Sequence, residues 1–366
     1  MNKPTIGIDC RLAGVQHAGI GRYIQNLIQR CVEDDRFQWV LFFHDRQQAV
    51  AVLPGKLSQV TKVYLPIKHY SFKEQLVVPW VLLKYRLDLL HVPHFNIPLL
   101  YPRKMLVTIH DLLWHEQRGA SVTTLPAWQY WFKYLAYRFT THQAVNRAKK
   151  IIVPSKTVSS TLQRYYPAAK AKTIVIPEGV EQLYRQAKRT ASSKTEKVLV
   201  CTGSMYPHKN LRLVVQALAL LPEFKLVLVG SRSAFQQDIE QYVKNHQLDK
   251  RVEFAGYLSD QELVALYRSA YALVFPSLSE GFGLPGLEAM AVGLPVIAAN
   301  IPIFREIYQD AAAYFDPYSV AELVETVRTL EPSRKTLITA GRKRAKNFDW
   351  VDAVAATLQQ YATVLS

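Results

Sequence analysis

The chain has 366 residues, 49% of them hydrophobic, which is enough for two domains with ample cores. Its three cysteines, Cys10, Cys31 and Cys201, are widely spaced without metal-ligand pairing, so we expect core thiols of a reducing cytosol and not a disulfide set. No apolar run approaches the roughly 18 residues that span a bilayer, and no secretory signal precedes the first predicted strand, so a cytoplasmic location is expected.

The net charge of +16 is concentrated in the first half of the chain. Residues 1–180 carry 24 Lys and Arg against 10 Asp and Glu, whereas residues 181–366 carry 21 against 19. A basic half favours an anionic partner, either nucleic acid or an anionic membrane surface. Segments 68–86 and 126–139 mix aromatic rings with Lys and Arg, which suits a lipid headgroup zone, although any single ring could equally face a core. We therefore predict peripheral docking on the inner face of the cell membrane, and no nucleic acid partner.

Short apolar runs alternate with helical patterns from end to end, which indicates βα units and parallel sheets. The first half contains predicted strands at 5–9, 39–43, 87–92, 105–109, 150–153 and 173–176. A polar, basic stretch without hydrophobic periodicity, 185–196, predicts a linker. The second half restarts with predicted strands at 197–202, 225–229, 252–254, 272–275 and 295–298. Ligands of open α/β sheets bind beyond the carboxyl ends of the strands, so the loops there are the candidate sites.

The first candidate loop follows strand 5–9 and contains Gly19 and Gly21. Free amides at the helix start that follows could approach a phosphate or a sugar. A dinucleotide-binding motif is excluded, because Ile24 occupies the third glycine position and the loop begins about ten residues after the strand.

Histidines mark two further strand ends in the first half. His91, His94 and Asn96 either contact an acceptor or serve in packing, and no carboxylate or cysteine at ligand spacing supports a metal site. His110 follows strand 105–109 and precedes Asp111, so it lies at a strand end where a ligand could bind, or it is a histidine bonded to nearby backbone.

In the second half, a loop from Gly203 to Asn210 precedes an amphipathic helix, for which Asn210 is a suitable N-cap. A lysine at a helix N-terminus is electrostatically unfavourable unless an anion lies there too. Lys209 could therefore neutralise a diphosphate and stabilise it as a leaving group, with a solvated loop lysine as the alternative.

The segment Ser279–Glu288 is the most informative in the chain, because seven residues separate Glu280 from Glu288. A buried strand precedes it, Pro285 suits a first helical position, and Gly293 suits a left-handed helix end. Its glycines allow close backbone approach, and the helix start offers N–H groups to an anion. A carboxylate on each side of such a turn can bind two sets of hydroxyls, which describes a nucleotide sugar. The alternative is a Glu288 favoured by the helix dipole and a solvated Glu280.

Segment 279–288 resembles the E-x7-E motif of the family 4 retaining glycosyltransferases, and 203–210 is similar to their G-x-x-x-P-x-K-N pattern. His110-Asp111 resembles the family's H-D element, and residues 9–23 resemble its first glycine-rich loop. The resemblance implies the GT-B fold, an α/β architecture of two Rossmann-like, doubly wound parallel-sheet domains facing a central cleft. The predicted domains are an acceptor-side domain (1–184 plus the crossover helix 350–366) and a nucleotide-sugar-binding domain (197–349).

The resemblance also implies the roles of individual residues. Glu288 would bind the ribose hydroxyls, Glu280 the sugar hydroxyls, and Lys209 the diphosphate, with His110 near the donor sugar. His110, Lys209 and Glu280 are thus the predicted catalytic residues. The predicted donor-binding set is Gly19, Gly21, Ser204, His208, Lys209, Glu280, Gly281, Phe282, Gly283, Leu284 and Glu288. Ser204 stands where many members have a second phosphate-binding arginine, so His208 or another basic residue would have to replace it.

The predicted function is therefore retaining transfer of a hexose, with mannose from GDP-mannose as the first choice, from a nucleoside diphosphate sugar to a glycan or polyprenyl-linked saccharide in polysaccharide assembly. The chain has no Asp-x-Asp motif, so we expect no metal and no other cofactor. Two alternatives remain: a nucleotide-sugar 2-epimerase of the same fold, which would not need the basic half, and a basic, non-catalytic nucleic-acid-binding protein, in which the glutamate pair would have no purpose.

Overall fold

The computed structural model describes residues 3–55, 57–119, 123, 125–187, 197–230 and 235–366. The chain divides into two compact units: Met1–Leu112 with Ala127–Glu178 and Trp350–Ser366, and Leu113–Pro126 with Gly179–Asp349. The predicted domain division differs from this in two places, since 113–126 and 179–184 belong to the second unit. Val180 and Tyr184 explain the second difference, because both side chains are buried in the core of the second unit. Most of the predicted linker 185–196 lies outside the described residues.

The first unit is built on a seven-stranded parallel sheet with strand order β3-β2-β1-β4-β5-β6-β7. Its strands are β1 (Thr5–Asp9), β2 (Gln38–Phe43), β3 (Val60–Tyr64), β4 (Leu89–Val92), β5 (Met105–Thr108), β6 (Lys150–Val153) and β7 (Thr173–Val175). Its helices are α1 (Ala18–Cys31), α2 (Arg46–Val52), α3 (Phe72–Lys84), α5 (Ala127–Arg147), α6 (Lys156–Tyr165) and α15 (Trp350–Leu365).

Alternate residues of these strands pack on opposite faces of the sheet, as a parallel sheet covered on both sides requires. On β2, Trp39 and Leu41 pack with the apolar sides of α1 and α15, whereas Val40 and Phe42 pack with residues of α3, α5 and α6. Helix α15, which is the last helix of the chain, therefore completes one of the two cores of the first unit.

The second unit is built on a six-stranded parallel sheet with strand order β10-β9-β8-β11-β12-β13. Its strands are β8 (Val198–Thr202), β9 (Lys225–Val229), β10 (Val252–Gly256), β11 (Ala272–Phe275), β12 (Val296–Ala299) and β13 (Ala313–Phe315). Its helices are α4 (Leu113–Glu116), α7 (Gln182–Gln186), α8 (Leu211–Ala219), α9 (Gln236–Asn245), α10 (Asp260–Ser269), α11 (Leu284–Val292), α12 (Pro302–Tyr308), α13 (Val320–Arg328) and α14 (Leu330–Ala345).

The strands that sequence patterns did not predict, β3 and β13, both lie at a sheet edge. Four of the five residues of β3 are at least partly exposed, and β13 has only three residues. Strand β3 lacks the continuous apolar run that marks the central strands, and β13 is too short to be recognised by one. All eleven predicted strands are present, with ends that differ by at most two residues.

Within the described ranges, no helix combines the length and the apolar character needed to cross a membrane.

Candidate active site

Two of the predicted loops meet at the middle of the second sheet. Strands β8 and β11 are parallel neighbours although β9 and β10 lie between them in the chain, so the strand order reverses between them. Loops that leave the carboxyl ends of two such strands diverge and open a crevice, which is where open α/β sheets bind ligands. Lys209 lies on the loop that follows β8, and Glu280 lies on the loop that follows β11.

Lys209 and Glu280 form an ion pair, with 2.5 Å between Nζ and Oε1. Their side chains are only 16% and 14% exposed, so the pair is largely shielded from solvent. The ammonium group also lies 6.0 Å above the ring of Phe275, at the end of β11. The two predicted catalytic residues of the second unit are therefore in direct contact.

The turn that carries Lys209 is a single 3₁₀ turn, Pro207–Lys209, followed by Asn210 in a left-handed conformation (φ 55°). The predicted capping role of Asn210 is wrong in its chemistry. Its side-chain amide donates to the carbonyl of Pro317 at 2.7 Å and makes no capping hydrogen bond to α8. Asn210 instead fixes the turn to the loop after β13.

His208 cannot supply the second positive charge that the sequence analysis sought. Its side chain is buried, and burial, assisted by the nearby Lys209 ammonium, lowers its pKa to about 4. The imidazole is therefore neutral at pH 7. Ser204, at the position of the missing arginine, is half-buried.

Helix α11 begins at Leu284, with Pro285 as its second residue, and ends at Gly293 in the predicted left-handed conformation (φ 91°). Glu288 consequently lies in the second turn, and its side chain is 1% exposed, so a favourable first-turn dipole does not account for its presence. Eight of the nine residues of α11, including Glu288, are buried, and burial of a carboxylate costs desolvation free energy. Such a position favours a functional carboxylate over an incidental one.

Some residues between Glu280 and Glu288 place their side chains in the core of the second unit. The ring of Phe282 is buried and packs edge-on against Phe348, with 5.6 Å between centroids. Leu284 is also buried. The side chains of Phe282 and Leu284 therefore pack in the core, and contacts of the 281–284 backbone with a donor remain a prediction.

In the first unit, His110 follows β5 and is oriented by a carboxylate. Its Nδ1 lies 3.3 Å from Oε1 of Glu178, and both side chains are about one-tenth exposed. The ring of Tyr23 packs edge-on against it at 4.7 Å. In the part of the chain that the structure describes, His110 Nε2 has no hydrogen-bond partner.

Gly19 and Gly21 are the second and fourth residues of α1, so the amide of Gly19 is among those that a helix leaves without internal partners. The two glycines differ in their surroundings. A Cβ on Gly21 would lie 1.9 Å from the carbonyl oxygen of Gly14, whereas a Cβ on Gly19 would meet nothing within 4 Å. Gly21 is therefore required by packing, and Gly19 leaves open space beside the helix start.

His91 is a core residue, and its predicted contact with an acceptor is wrong. It is fully buried, with Nδ1 2.6 Å from the hydroxyl of Tyr361 and Nε2 2.8 Å from Oγ1 of Thr108. Burial lowers its pKa to about 3, so it is neutral. Its role is to join β4 to α15 on one side and to β5 on the other.

Asn96 belongs to a buried ionic network around Glu74, and its backbone amide donates to His94 Nδ1 at 3.2 Å. Asn96 Nδ2 donates to Glu74 at 2.8 Å, and the Arg11 guanidinium bridges Glu74 and Asp9 at 2.8 and 2.6 Å. Burial alone would raise the pKa of Asp9, but the Arg11 charge outweighs it and holds that pKa at about 2. The network lies beyond the carboxyl ends of β1 and β4, where the order of the first sheet reverses.

Comparison with known proteins decides what this arrangement belongs to. A model described as Glycosyltransferase Family 4 matches residues 17–182. A model described as Glycosyl transferases group 1 matches residues 185–345. Together the two models span most of both units. The chain belongs to glycosyltransferase family 4.

Relatives of this glycosyltransferase match it over most of their length. It is 28% identical over 294 residues to the O-antigen chain mannosyltransferase RfbU of Salmonella typhimurium, a match covering 79% of this chain and 78% of the relative. It is 27% identical over 374 residues to the O-antigen chain mannosyltransferase B of Escherichia coli, covering 94% and 95%.

Solved structures confirm the predicted GT-B class of two Rossmann-like domains. Sucrose-phosphate synthase from Thermosynechococcus elongatus is similar with a TM-score of 0.77 at 20% identity, over 99% of both chains. HepE from Anabaena, in complex with UDP and glucose, is similar with a TM-score of 0.77 at 18% identity, over 99% of this chain and 100% of that chain. At these identities the similarity bears on the fold alone.

Sequence reasoning missed three residues that hold the glycosyltransferase's predicted site residues in place. Glu178 contacts His110, Glu74 accepts a hydrogen bond from Asn96, and Tyr308 donates to the backbone of the segment that contains the two glutamates. Glu178 follows strand β7, so a search of every strand end would have found it. Glu74 lies inside α3 and Tyr308 ends α12, and no local pattern distinguishes either position.

Proposed function

We propose that this glycosyltransferase transfers mannose, with retention, from GDP-mannose to a saccharide acceptor of polysaccharide assembly. The choice of sugar and process is supported by two O-antigen chain mannosyltransferases, RfbU and B, which match it over more than three quarters of their own length. The observation that carries the donor site is the Lys209–Glu280 ion pair at the reversal point of the second sheet, with the buried Glu288 eight residues further along.

In the proposed mechanism Lys209 compensates the charge of the departing diphosphate. A shielded ammonium stabilises developing negative charge far more strongly than a solvated one. Because Glu280 already holds this ammonium at 2.5 Å, a bound donor must share Lys209 with the carboxylate or displace it. Glu280 is then available to accept hydrogen bonds from the sugar hydroxyls, and the pair couples recognition of the sugar to recognition of the phosphate.

The bond between the anomeric carbon and the diphosphate oxygen breaks, and the acceptor hydroxyl forms its bond on the same face of the sugar. The acceptor proton passes to the departing phosphate oxygen. The amides at the start of α11 favour negative charge there, which together with Lys209 replaces a divalent metal in the proposal. On the first unit, His110 and the first turn of α1 are the groups proposed to take part in the transfer.

The proposal extends to an anionic membrane as the place where a polyprenyl-linked acceptor is met. Helices α3 and α5, which pack on the same face of the first sheet, each expose one apolar stripe at helical spacing. The stripes consist of Phe72, Leu76 and Trp80 on α3 and of Trp128, Phe132, Leu135 and Phe139 on α5. Lys73, Lys84 and Lys133 are exposed on the same helices. Trp131 of α5 is exposed as well, whereas Tyr130, Tyr134 and Tyr137 are buried and cannot contribute.

A donor panel tests the proposal. Purified enzyme is incubated with ¹³C-labelled GDP-mannose, UDP-glucose, UDP-galactose or ADP-glucose and a short saccharide acceptor, and the product is examined by NMR. Transfer from GDP-mannose with an unchanged anomeric configuration is expected. Transfer only from a UDP sugar would replace mannose, and inversion would overturn the mechanism. Conversion of the free nucleotide sugar to its 2-epimer would favour the epimerase alternative.

A further inference from the structure

A buried hydroxyl holds the segment that contains the two glutamates. Tyr308, the last residue of α12, is fully buried, and its hydroxyl donates to the carbonyl oxygen of Gly283 at 2.5 Å. Gly283 is the residue immediately before α11 and has a φ of 93°, which glycine adopts at little cost. The same carbonyl accepts from the amide of Gly286 at 3.1 Å, so Tyr308 adds a second donor to the turn that starts the helix.

The contact is too close to be incidental packing. A Cβ on Gly283 would lie 2.5 Å from the Tyr308 hydroxyl, and a Cβ on Gly286 would lie 2.3 Å from it. Both glycines are therefore needed to admit this one side chain, and not only to admit a ligand. Burial raises the pKa of Tyr308 well above its ordinary value, and the charge of Glu280 acts in the same direction, so the hydroxyl remains a donor.

Stacked rings connect Tyr308 to the ion pair. Its ring stacks on Phe304 at 5.2 Å with an interplanar angle of 17°, and Phe304 packs against Phe275 at 4.7 Å. The Phe275 ring in turn lies under the Lys209 ammonium. The hydroxyl and the ring of one residue thus reach both sides of the proposed donor site.

The backbone after Tyr308 is held in an unfavourable conformation. Gln309 has φ 51° and ψ −131°, which a residue other than glycine adopts only at a cost. Its carbonyl accepts from the hydroxyl of Tyr314 at 2.6 Å, and that hydroxyl also lies 3.1 Å from the carbonyl of Phe304. The unfavourable conformation of Gln309 is stabilised by these hydrogen bonds, which is consistent with a requirement for Tyr308 to occupy one position.

We propose that Tyr308 is a positioning residue for donor binding: by fixing the Gly283 carbonyl it sets the direction in which Glu280 and the first amides of α11 face the nucleotide sugar. The inference rests on the proposed function, because it assigns Tyr308 a task only if segment 280–288 binds the donor. Tyr308 itself is buried and acts through the main chain.

The test is Tyr308→Phe, which removes one oxygen atom and keeps the ring stack. We expect the donor KM, and the Kd of the nucleoside diphosphate by calorimetry, to rise about tenfold, the scale of one net hydrogen bond. The matched control is Tyr271→Phe, which removes a tyrosine hydroxyl elsewhere in the second unit. Tyr271 directly precedes β11, at the end of that strand opposite to the proposed site, and its hydroxyl donates to Glu331 at 3.2 Å. This control should leave both constants unchanged.

Unchanged donor KM and Kd in folded Tyr308→Phe, even with a lowered Tm, would reduce Tyr308 to a packing residue and overturn the proposal. Should that variant not fold, it is made in a Gln309→Gly background, which relieves the strained conformation, and is compared with Gln309→Gly alone. Absence of transfer by the wild-type enzyme from every nucleotide sugar would instead count against the proposed function, so the two failures are distinguishable.

Discussion

Removing the charge of Lys209 distinguishes a catalytic role of the Lys209–Glu280 ion pair from a purely structural role. Lys209→Met keeps most of the stem and removes the ammonium, leaving Glu280 largely shielded without its partner. Breaking a fully buried pair from one side costs about 3–5 kcal/mol. With the side chains 16% and 14% exposed, we expect about 1–3 kcal/mol, because water solvates part of the remaining charge. For a domain of this size that is a Tm decrease of about 2–4 °C per kcal/mol.

Turnover should fall much further than stability suggests. Loss of one preorganised group that stabilises transition-state charge costs about 10²–10³ in kcat. Sequence reasoning alone predicts that stability barely changes, since both residues lie on loops. The contact between the loops alters that expectation. The measurements are differential scanning calorimetry and initial transfer rates with saturating donor.

The double variant Lys209→Met with Glu280→Gln gives the decisive comparison. Removing both charges leaves no uncompensated carboxylate, so the double variant should recover most of the Tm lost in Lys209→Met. Its turnover should remain at least a hundredfold below wild type, because neither the phosphate nor the sugar contact is restored. Recovery of turnover together with Tm would show that the pair only supports the fold, and would refute the assignment of both residues.

Four further outcomes are expected. Transfer should persist in excess EDTA, because a lysine and a helix start supply the positive potential; loss that Mg²⁺ or Mn²⁺ restores would contradict this. Co-sedimentation with vesicles should require anionic lipid, weaken with salt and weaken again in Trp80→Ser/Phe132→Ser, but not in Tyr318→Ser, a control exposed on the second unit. The unfolded state gains a proton below pH about 6.5 that native His91 does not bind until its pKa of about 3, so the free energy of unfolding falls as pH falls. In His91→Gln that slope should decrease by about 1.4 kcal/mol per pH unit between pH 6 and 4 in denaturant titrations. Glu178→Gln should lower kcat about tenfold with an unchanged donor KM, since it loosens the neighbouring histidine; unchanged kcat would contradict that role.

Residues that meet across the sheet could be located but not paired from their local patterns. Lys209 and Glu280 are 71 positions apart, and only the neighbouring positions of β8 and β11 bring them together. Glu178 is 68 positions from His110 and follows β7, which β6 separates from β5 in the sheet. A strand-end pattern shows that a residue lies at the ligand-binding edge, but the order of the strands decides which partner it finds there.

Local sequence patterns also did not determine which side chains are buried and which face of a helix is exposed. The mixed rings of 126–139 divide by helical spacing into a buried set and an exposed set, which becomes known only when α5 packs on the sheet. His91 and His94 look alike in sequence, yet His91 joins β4 to α15 and β5 in the core, whereas His94 contacts the hydroxyl of Tyr70 and the backbone of Asn96. Burial then reverses an expectation based on residue type, because it leaves His208 neutral where a cation was sought.

The sequence by itself determined the alternation of strands and helices, the two-domain α/β class and the family, because apolar periodicity and short glycine-containing motifs are local properties. It also located Lys209, Glu280 and Glu288 as donor-site candidates. Tertiary structure decided that Lys209 and Glu280 form an ion pair, that Glu178 contacts His110, and that Tyr308 bonds to Gly283. These contacts join residues distant in the chain, and both their geometry and the charge state of each group depend on solvent exclusion that only the packed sheets create.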